Sequence, residues 1–374
     1  MFGPASMHDK HASSDNDNIL DVLDLPQLYT KPSGEALLLT LDNLKSGPAS
    51  WQPKGDGSDA EHPALPNGKI KVRSQGLPSY LTKIISSSLD WIEDDAIREL
   101  VWESAAKCLS ERSGRTALGS ITRSFSIPTN VPEAHGAAVA ATFNPASAEA
   151  SCALNIVLHE PAFTADNVGF KTWASSHLLA RRLVILKDML PQLPTDSVVL
   201  ELGAGTGLVG LAAAAILRRR VLLTDLPEII PNLERNIKSN KGMLDASGIN
   251  AHAAVLDWTE PNSLSTEEID VSSGFLLILA ADTVYTSEQP ALLTQTIKHH
   301  LSHDVRARAV ITVPQREGFD AEVQDFRARM GAAGLLIIAE GEDSGYDDWG
   351  IAQSVGNEDG LAQVTCVWSI WAWQ

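Results

Sequence analysis

Three cysteines in 374 residues, Cys108, Cys152 and Cys366, are too few and too scattered for a disulfide framework or a zinc knuckle. Long apolar runs are missing too. The longest, around Leu208–Leu217 and Phe275–Ala281, fall well short of the ~20 residues that span a bilayer. The opening stretch MFGPASMHDKHASSDNDN has no apolar core of the kind a secretory leader needs. Basic residues are scarce: 29 Lys and Arg face 47 Asp and Glu, a formal net charge of −18. The imbalance is steepest from Asp257 onward, with 6 basic side chains against 19 acidic. Such a field repels phosphate backbones and attracts a basic partner. The expectation is a reduced, cytoplasmic monomer with no nucleic acid and no membrane among its partners.

What is present suffices for a sizeable core, since 44% of the residues are apolar. Residues 1–18 are polar and Ser/Asp/Asn-rich and are expected to be disordered. Residues 19–150 form an N-terminal extension, mainly helical from residue 78. It includes a short element at Glu35–Leu44 and a Gly/Pro/Asp-rich linker over Gly47–Gly68. Pro78 suits a first helical turn, with Leu81, Ile84, Ile85, Leu89 and Ile92 at helical spacing. Glu93–Asp95 opens a second helix whose apolar face is Ile97, Leu100, Val101, Ala105 and Cys108, and Gly114 stops it.

From residue 151 to 374 the rhythm becomes strand, helix, strand. Strands are expected at Leu154–His159, Ser197–Leu202, Val221–Thr224, Ala253–Leu256, Leu276–Ala280, Ala309–Val313, Leu335–Ala339 and Val364–Trp371. Helices are expected at Leu208–Leu217, Ile229–Asn240, Pro290–His300 and Asp320–Met330. This alternation predicts an α/β fold with a largely parallel sheet covered on both faces. No helix separates the last two strands, so they should form an antiparallel hairpin. Between them, Glu340–Asp359 carries seven carboxylates and no Lys or Arg. It reads as a solvated connector, or as an acidic guide for a basic surface.

The densest chemical signal is VVLELGAGTGLVG, Val198–Gly210. A buried strand runs into Gly203, Gly205 and Gly207, where the backbone can turn sharply and approach a ligand at a helix N-terminus. Gly205, Gly207 and Gly210 also satisfy G-x-G-x-x-G with Asp225 ending the next strand, so a nicotinamide-dependent oxidoreductase stays open. Glu201 weighs against it. A carboxylate two residues before the first glycine would repel a pyrophosphate and suits a cation, such as the amino-acid end of S-adenosylmethionine. Asp225 would accept the ribose hydroxyls, or merely cap the helix that follows. Asp257 and Trp258 end the next strand with an acceptor and a flat ring apt for adenine. LLILAADTVY then sets Ala281, Asp282 and Tyr285 at a strand's carboxyl end, where open α/β sheets bind ligands.

ELGAGTG, LLTDLPEIIPNL, LDW and the A-D-x-x-Y motif together resemble the seven-β-strand protein-lysine methyltransferases (methyltransferase family 16) in order and spacing. HEPAFTADNVGFKTWASS, His159–Ser176, looks like that family's segment leading into the cofactor pocket. LDLP at Leu23–Pro26, SGRTALGSITRSF at Ser113–Phe125 and DDWG at Asp347–Gly350 look like markers of the fungal elongation factor 2 lysine methyltransferases. The likeness covers nearly all of residues 80–374. It implies a class I S-adenosylmethionine-dependent methyltransferase domain, Rossmann-like, with a seven-stranded sheet whose last strand is antiparallel. It implies cofactor contacts from Trp173, Gly203, Ala204, Gly205, Asp225, Trp258 and Ala281, and a lysine channel ending at Asp282 and Tyr285. The implied partner is elongation factor 2. The competing readings are a methyltransferase for a small amine or a catechol, and a non-catalytic cofactor-binding scaffold.

Overall fold

The computed structural model describes residues 20–45, 72, 76–110, 119–130, 153–162, 168–264, 266, 269–316, 318–347 and 362–374. The disorder expected for residues 1–18, the linker over 47–68 and the stop at Gly114 lie outside them. The chain divides into two compact units. The first holds residues 1–47 and 58–112, and the second holds residues 48–57 and 113–374. No helix among the described residues is long and apolar enough to cross a membrane.

In the first unit, helix α1 (Gly34–Leu44) starts where the Ser33 hydroxyl accepts the Ala36 N–H, the usual service of a serine N-cap. It buries Leu37, Leu41 and Leu44 on one stripe. Helix α2 (Leu77–Ser86) carries its proline at the start and buries Leu77, Tyr80, Leu81 and Ile84. It ends before Leu89 and Ile92, which were expected to continue it. The Ser87 hydroxyl accepts the Leu89 N–H, and the Ser88 hydroxyl donates to Asp90. Such local bonds compete with a helix, and Leu89 turns left-handed at φ 51° while staying fully buried. Helix α3 (Asp95–Ser110) is capped by Asp94, whose Oδ1 accepts from Ala96 and Ile97. It buries Val101, Ala105 and Cys108 and leaves Leu100, expected on that face, half exposed. The Tyr80 hydroxyl donates to the Pro26 carbonyl and so ties the LDLP segment to α2.

The second unit begins with β1 (Ile121–Pro128) and β2 (Ala153–Glu160), an antiparallel pair separate from the main sheet. By this pairing the unit reaches N-terminal of residue 151, where the second domain was expected to start. Then follow α4 (Ala174–Met189), β3 (Val198–Leu202), α5 (Leu208–Leu217), β4 (Arg220–Asp225), α6 (Ile230–Ser239), α7 (Lys241–Ser247) and β5 (Ala251–Val255). The chain continues through β6 (Leu277–Ala281), α8 (Gln289–His300), β7 (Arg308–Pro314), α9 (Asp320–Ala332), β8 (Leu335–Asp347) and β9 (Ala362–Trp373). The seven-stranded sheet runs β5-β4-β3-β6-β7-β9-β8. Its first five strands are parallel, and β9 is antiparallel to both β7 and β8.

Three expectations are corrected. Among the described residues, the strand expected at Leu154–His159 pairs only with β1 and does not enter the main sheet. Its free edge is met instead by three asparagines one turn apart. Asn240 exchanges both bonds with Val157 (2.9 and 2.7 Å), Asn236 does so with His159 (2.8 and 3.1 Å), and Asn232 Nδ2 also donates to the His159 carbonyl. Side-chain amides thus do for β2 what a neighbouring strand would. Helix α4 had no expected counterpart, because it is buried on nearly all sides and its His177, Arg181 and Arg182 interrupt any apolar stripe. Finally, β8 runs to Asp347, so the first half of the expected acidic connector is strand. Within it Asp343 and Asp347 point inward, Glu340 pairs with Arg327, and Glu342 accepts from Gln315.

Helix α5 packs against the sheet through close backbone approach. A Cβ placed on Gly210 would lie 2.4 Å from Glu201 Oε2 and 2.6 Å from a Leu223 methyl. Gly210→Ala should therefore lower stability by about 1–3 kcal/mol, the usual penalty of overpacking, read as a drop in denaturation midpoint.

Candidate active site

The strand order reverses at β3, which is flanked by β4 and β6. Such a reversal opens a crevice at the carboxyl ends of the strands. The turn after β3 takes the left-handed conformation at Gly203, Gly205 and Gly207, with φ of 65°, 54° and 90°. Side chains rarely adopt it, so glycine is required there. The Trp258 ring packs on this turn, close enough that a Cβ on Gly203 would lie 3.3 Å from it. The Gly169 carbonyl approaches from the other side, 3.1 Å from a Cβ on Gly205. The segment before α4 therefore lies over the glycine turn.

Asp225 ends β4 and fixes the turn from within. Its Oδ2 accepts the Gly205 N–H at 2.7 Å and its Oδ1 accepts the Leu226 N–H at 2.8 Å. Neither bond caps α6, so the helix-capping alternative fails. Each carboxylate oxygen keeps a second lone pair for a hydroxyl. Burial pushes the acid up to about 6, against the pull of both N–H groups. Glu201 lies on β3, buried, with Oε2 facing Gly210 and without a hydrogen-bond partner. Burial raises it well above the ordinary range, the Gly210 N–H opposes this, and the Asp225 charge adds to it.

Asp257 and Trp258 follow β5. The Asp257 Oδ1 accepts the backbone N–H and hydroxyl of Thr259, a local turn that fixes its place beside Trp258. Ala204 and Ala281 are small, buried residues at the ends of β3 and β6. Trp173 precedes α4, donates its ring N–H to the Val168 carbonyl, and carries two cations on its ring. Lys171 Nζ lies 4.4 Å from the ring centroid and the Arg316 guanidinium 5.0 Å.

Asp282 sits immediately after β6 at φ 58°, a conformation that Asp tolerates better than most side chains. Its N–H donates to the Thr312 carbonyl on β7. Its Oδ2 takes two donors, the Ser175 hydroxyl at 2.5 Å and Arg316 Nη2 at 3.1 Å. Its Oδ1 accepts no hydrogen bond among the described residues. Burial raises the Asp282 carboxyl, opposed first by Arg316 and then by Ser175. Tyr285 lies in the same turn, anchored by its N–H to Gln289 Oε1 at 2.6 Å. Burial raises its phenol, and the charges of Asp225 and Asp282 act on it in the same direction.

Behind these groups stands a buried ionic layer that the sequence pattern did not disclose. Lys171 pairs with Asp347 at 2.6 Å, both nearly inaccessible, and Asp347 Oδ2 also accepts the Ala174 N–H. This pair joins two marker segments of the sequence, FKTW and DDWG, across 176 positions. Arg182 chelates Asp343 and lies 4.9 Å over the Trp368 ring. Glu160 accepts the Thr172 N–H, and the Thr172 hydroxyl meets that of Thr206 in the glycine loop at 2.7 Å.

The site suits S-adenosylmethionine and not a dinucleotide. The lone pairs left on Asp225 and Asp257 suit hydroxyl donors. The Gly205 N–H, which a pyrophosphate would need, is already given to Asp225. The strand order, with its antiparallel β9 inserted beside the edge, together with this acidic crevice defines a class I S-adenosylmethionine-dependent methyltransferase.

The family model described as lysine methyltransferase matches residues 155–327, from within β2 to within α9. Protein-lysine N-methyltransferase rrg1 of Schizosaccharomyces pombe is 29% identical over 354 residues, 94% of this chain and 98% of that protein. Protein-lysine N-methyltransferase EFM2 of Saccharomyces cerevisiae is 30% identical over 307 residues, which span 76% of this chain and 65% of that protein. Among solved structures, M. jannaschii TYW2 in complex with AdoMet aligns at 14% identity with a TM-score of 0.33, over 59% of this chain and 83% of that one. The protein is an S-adenosylmethionine-dependent protein-lysine N-methyltransferase.

If Asp225 receives the ribose hydroxyls, binding of S-adenosylhomocysteine should weaken as pH falls through about 6, where that carboxylate takes up its proton. Titration calorimetry between pH 5 and 8 checks this, and a flat profile would contradict it. On the empty fold the sign is opposite. The folded acid binds a proton between 3.8 and about 6 that the unfolded chain does not, so its contribution to stability rises as pH falls.

Proposed function

We propose that this enzyme methylates a lysine of elongation factor 2 in the cytoplasm, with the crevice above β3 as cofactor site and Asp282 at the lysine end. The observation that carries the lysine assignment is the open oxygen of Asp282. One oxygen is anchored by Ser175 and Arg316, while the other has no partner among the described residues. A buried carboxylate presenting a single free acceptor beside the glycine turn is fitted to orient an amine. The elongation-factor assignment rests on the subgroup markers. Two of them now have structural work: LDLP is bonded to α2, and Asp347 of DDWG holds Lys171.

In this reading Glu201, Gly203, Ala204, Gly205, Asp225, Asp257, Trp258, Ala281 and Trp173 hold the cofactor. When bound, S-adenosylmethionine supplies an electrophilic methyl group on a sulfonium. The protein has to deliver a neutral amine to it. A lysine free in water, with a pKa of about 10.4, is neutral in only roughly one molecule in two thousand at pH 7. Desolvation in the crevice lowers that pKa, and an anionic Asp282 raises it. Asp282 therefore orients the amine through Oδ1, and Tyr285 forms the adjoining wall. Alignment of the attacking nitrogen supplies most of the rate.

Asp282→Ala should reduce kcat by about a hundredfold or more, the scale of a lost alignment, while S-adenosylhomocysteine binds as before. Near-normal turnover would remove Asp282 from the substrate end. Incubation of the wild-type protein with methyl-labelled cofactor and purified elongation factor 2 should label one lysine, located by mass spectrometry. An unlabelled elongation factor 2, with label on another protein of a fungal lysate, would reject the substrate.

A further inference from the structure

We infer that Arg316 is a positioning residue that holds the Asp282 carboxylate and offsets its charge, so that the substrate lysine can lose its proton inside the site. The inference rests on the reading of Asp282 as the amine-orienting group.

The geometry divides the carboxylate into two halves. Both donors that reach it, Ser175 Oγ and Arg316 Nη2, converge on Oδ2. A carboxylate oxygen has two in-plane lone pairs, so Oδ2 is saturated and Oδ1 alone is left to accept. Arg316 is itself held by stacking on Trp173, and its side chain stays 30% exposed, at the mouth of the site and not in the core. A purely structural ion pair has no reason to leave one oxygen open in this way.

The titratable and charged groups around Asp282 are Arg316 after β7, Lys171 before α4, Asp347 on β8, Cys366 on β9 and Tyr285 in its own turn. Lys171 is committed to Asp347 at 2.6 Å and Arg182 to Asp343. Cys366 and Tyr285 are pushed up by burial and stay neutral at physiological pH. Among the described residues this leaves Arg316 as the cation paired with Asp282. An uncompensated Asp282 would favour the ammonium form of the lysine, which cannot attack a methyl group. With Arg316 in place the pair is neutral overall, and the hydrogen-bonding oxygen remains without the full electrostatic penalty.

Removing one charge at this range shifts a neighbouring pKa by about one to two units. The acid limb of kcat against pH, which reports groups in the enzyme–substrate complex, should therefore move up by about that much in Arg316→Gln. Turnover near pH 7.5 should fall roughly ten- to a hundredfold and recover toward the wild-type value near pH 9.5. Arg316→Lys, which keeps the charge, should retain the wild-type limb, and S-adenosylhomocysteine should bind both variants within about twofold of wild type. An Arg316→Gln limb at the wild-type pH would overturn the inference, whether turnover is unchanged or uniformly reduced. Asp282→Asn, run alongside, keeps the two readings apart. If it turns over normally, the assignment of Asp282 is at fault. If it is inactive while the Arg316→Gln limb stays put, only the role of Arg316 is lost.

Discussion

A carboxylate buried at the end of a parallel strand has to be held by donors from elsewhere in the fold, and much of this site is arranged around that requirement at Asp282. The strand β6 delivers it, the left-handed turn aims it, and the Thr312 carbonyl on β7 fixes its backbone. Helix α4 contributes Ser175 and the chain after β7 contributes Arg316. Neither donor could arrive without further support. Ser175 is placed by a helix start that Asp347 secures through the Ala174 N–H, and Arg316 rests on Trp173. A buried pair such as Lys171–Asp347 gives little net stability against an apolar substitute. Here it joins the start of α4 to the end of β8.

The same logic explains the small β1–β2 sheet. Its outer edge would be an open row of backbone groups, and the asparagines of α6 and its C-terminal end satisfy that row with amides. Beyond this edge, Glu160 and Thr172 link β2 to Thr206 in the glycine loop by hydrogen bonds.

Part of the acidity, the most conspicuous property of the composition, is paired within the second unit. Of the seven carboxylates between Glu340 and Asp359, Glu340 meets Arg327, Glu342 meets Gln315, and Asp343 and Asp347 meet Arg182 and Lys171. The remaining three lie outside the described residues. A count of charges along the chain cannot separate an outward field from an inward lattice of pairs, since partners such as Lys171 and Asp347 are 176 positions apart.

The sequence by itself determined the alternation of strands and helices, the glycine turn, an acid at Asp225 ending the next strand and the acid–tyrosine pair after β6. Each of these is local: a run of apolar residues, a backbone geometry only glycine satisfies, or an acid at a strand end. The early end of α2 also had a local cause, in side chains that bond their own backbone, but apolar spacing masked it. Tertiary structure alone decided that β2 leaves the main sheet, that α4 is buried with its arginines, and that β8 continues into the acidic stretch. It alone brought Ser175 and Arg316 onto one oxygen of Asp282 and left the other open. Those outcomes depend on which charge finds which partner across the fold. Pairing energy depends on distance in space and on burial, and neither is written in the order of residues.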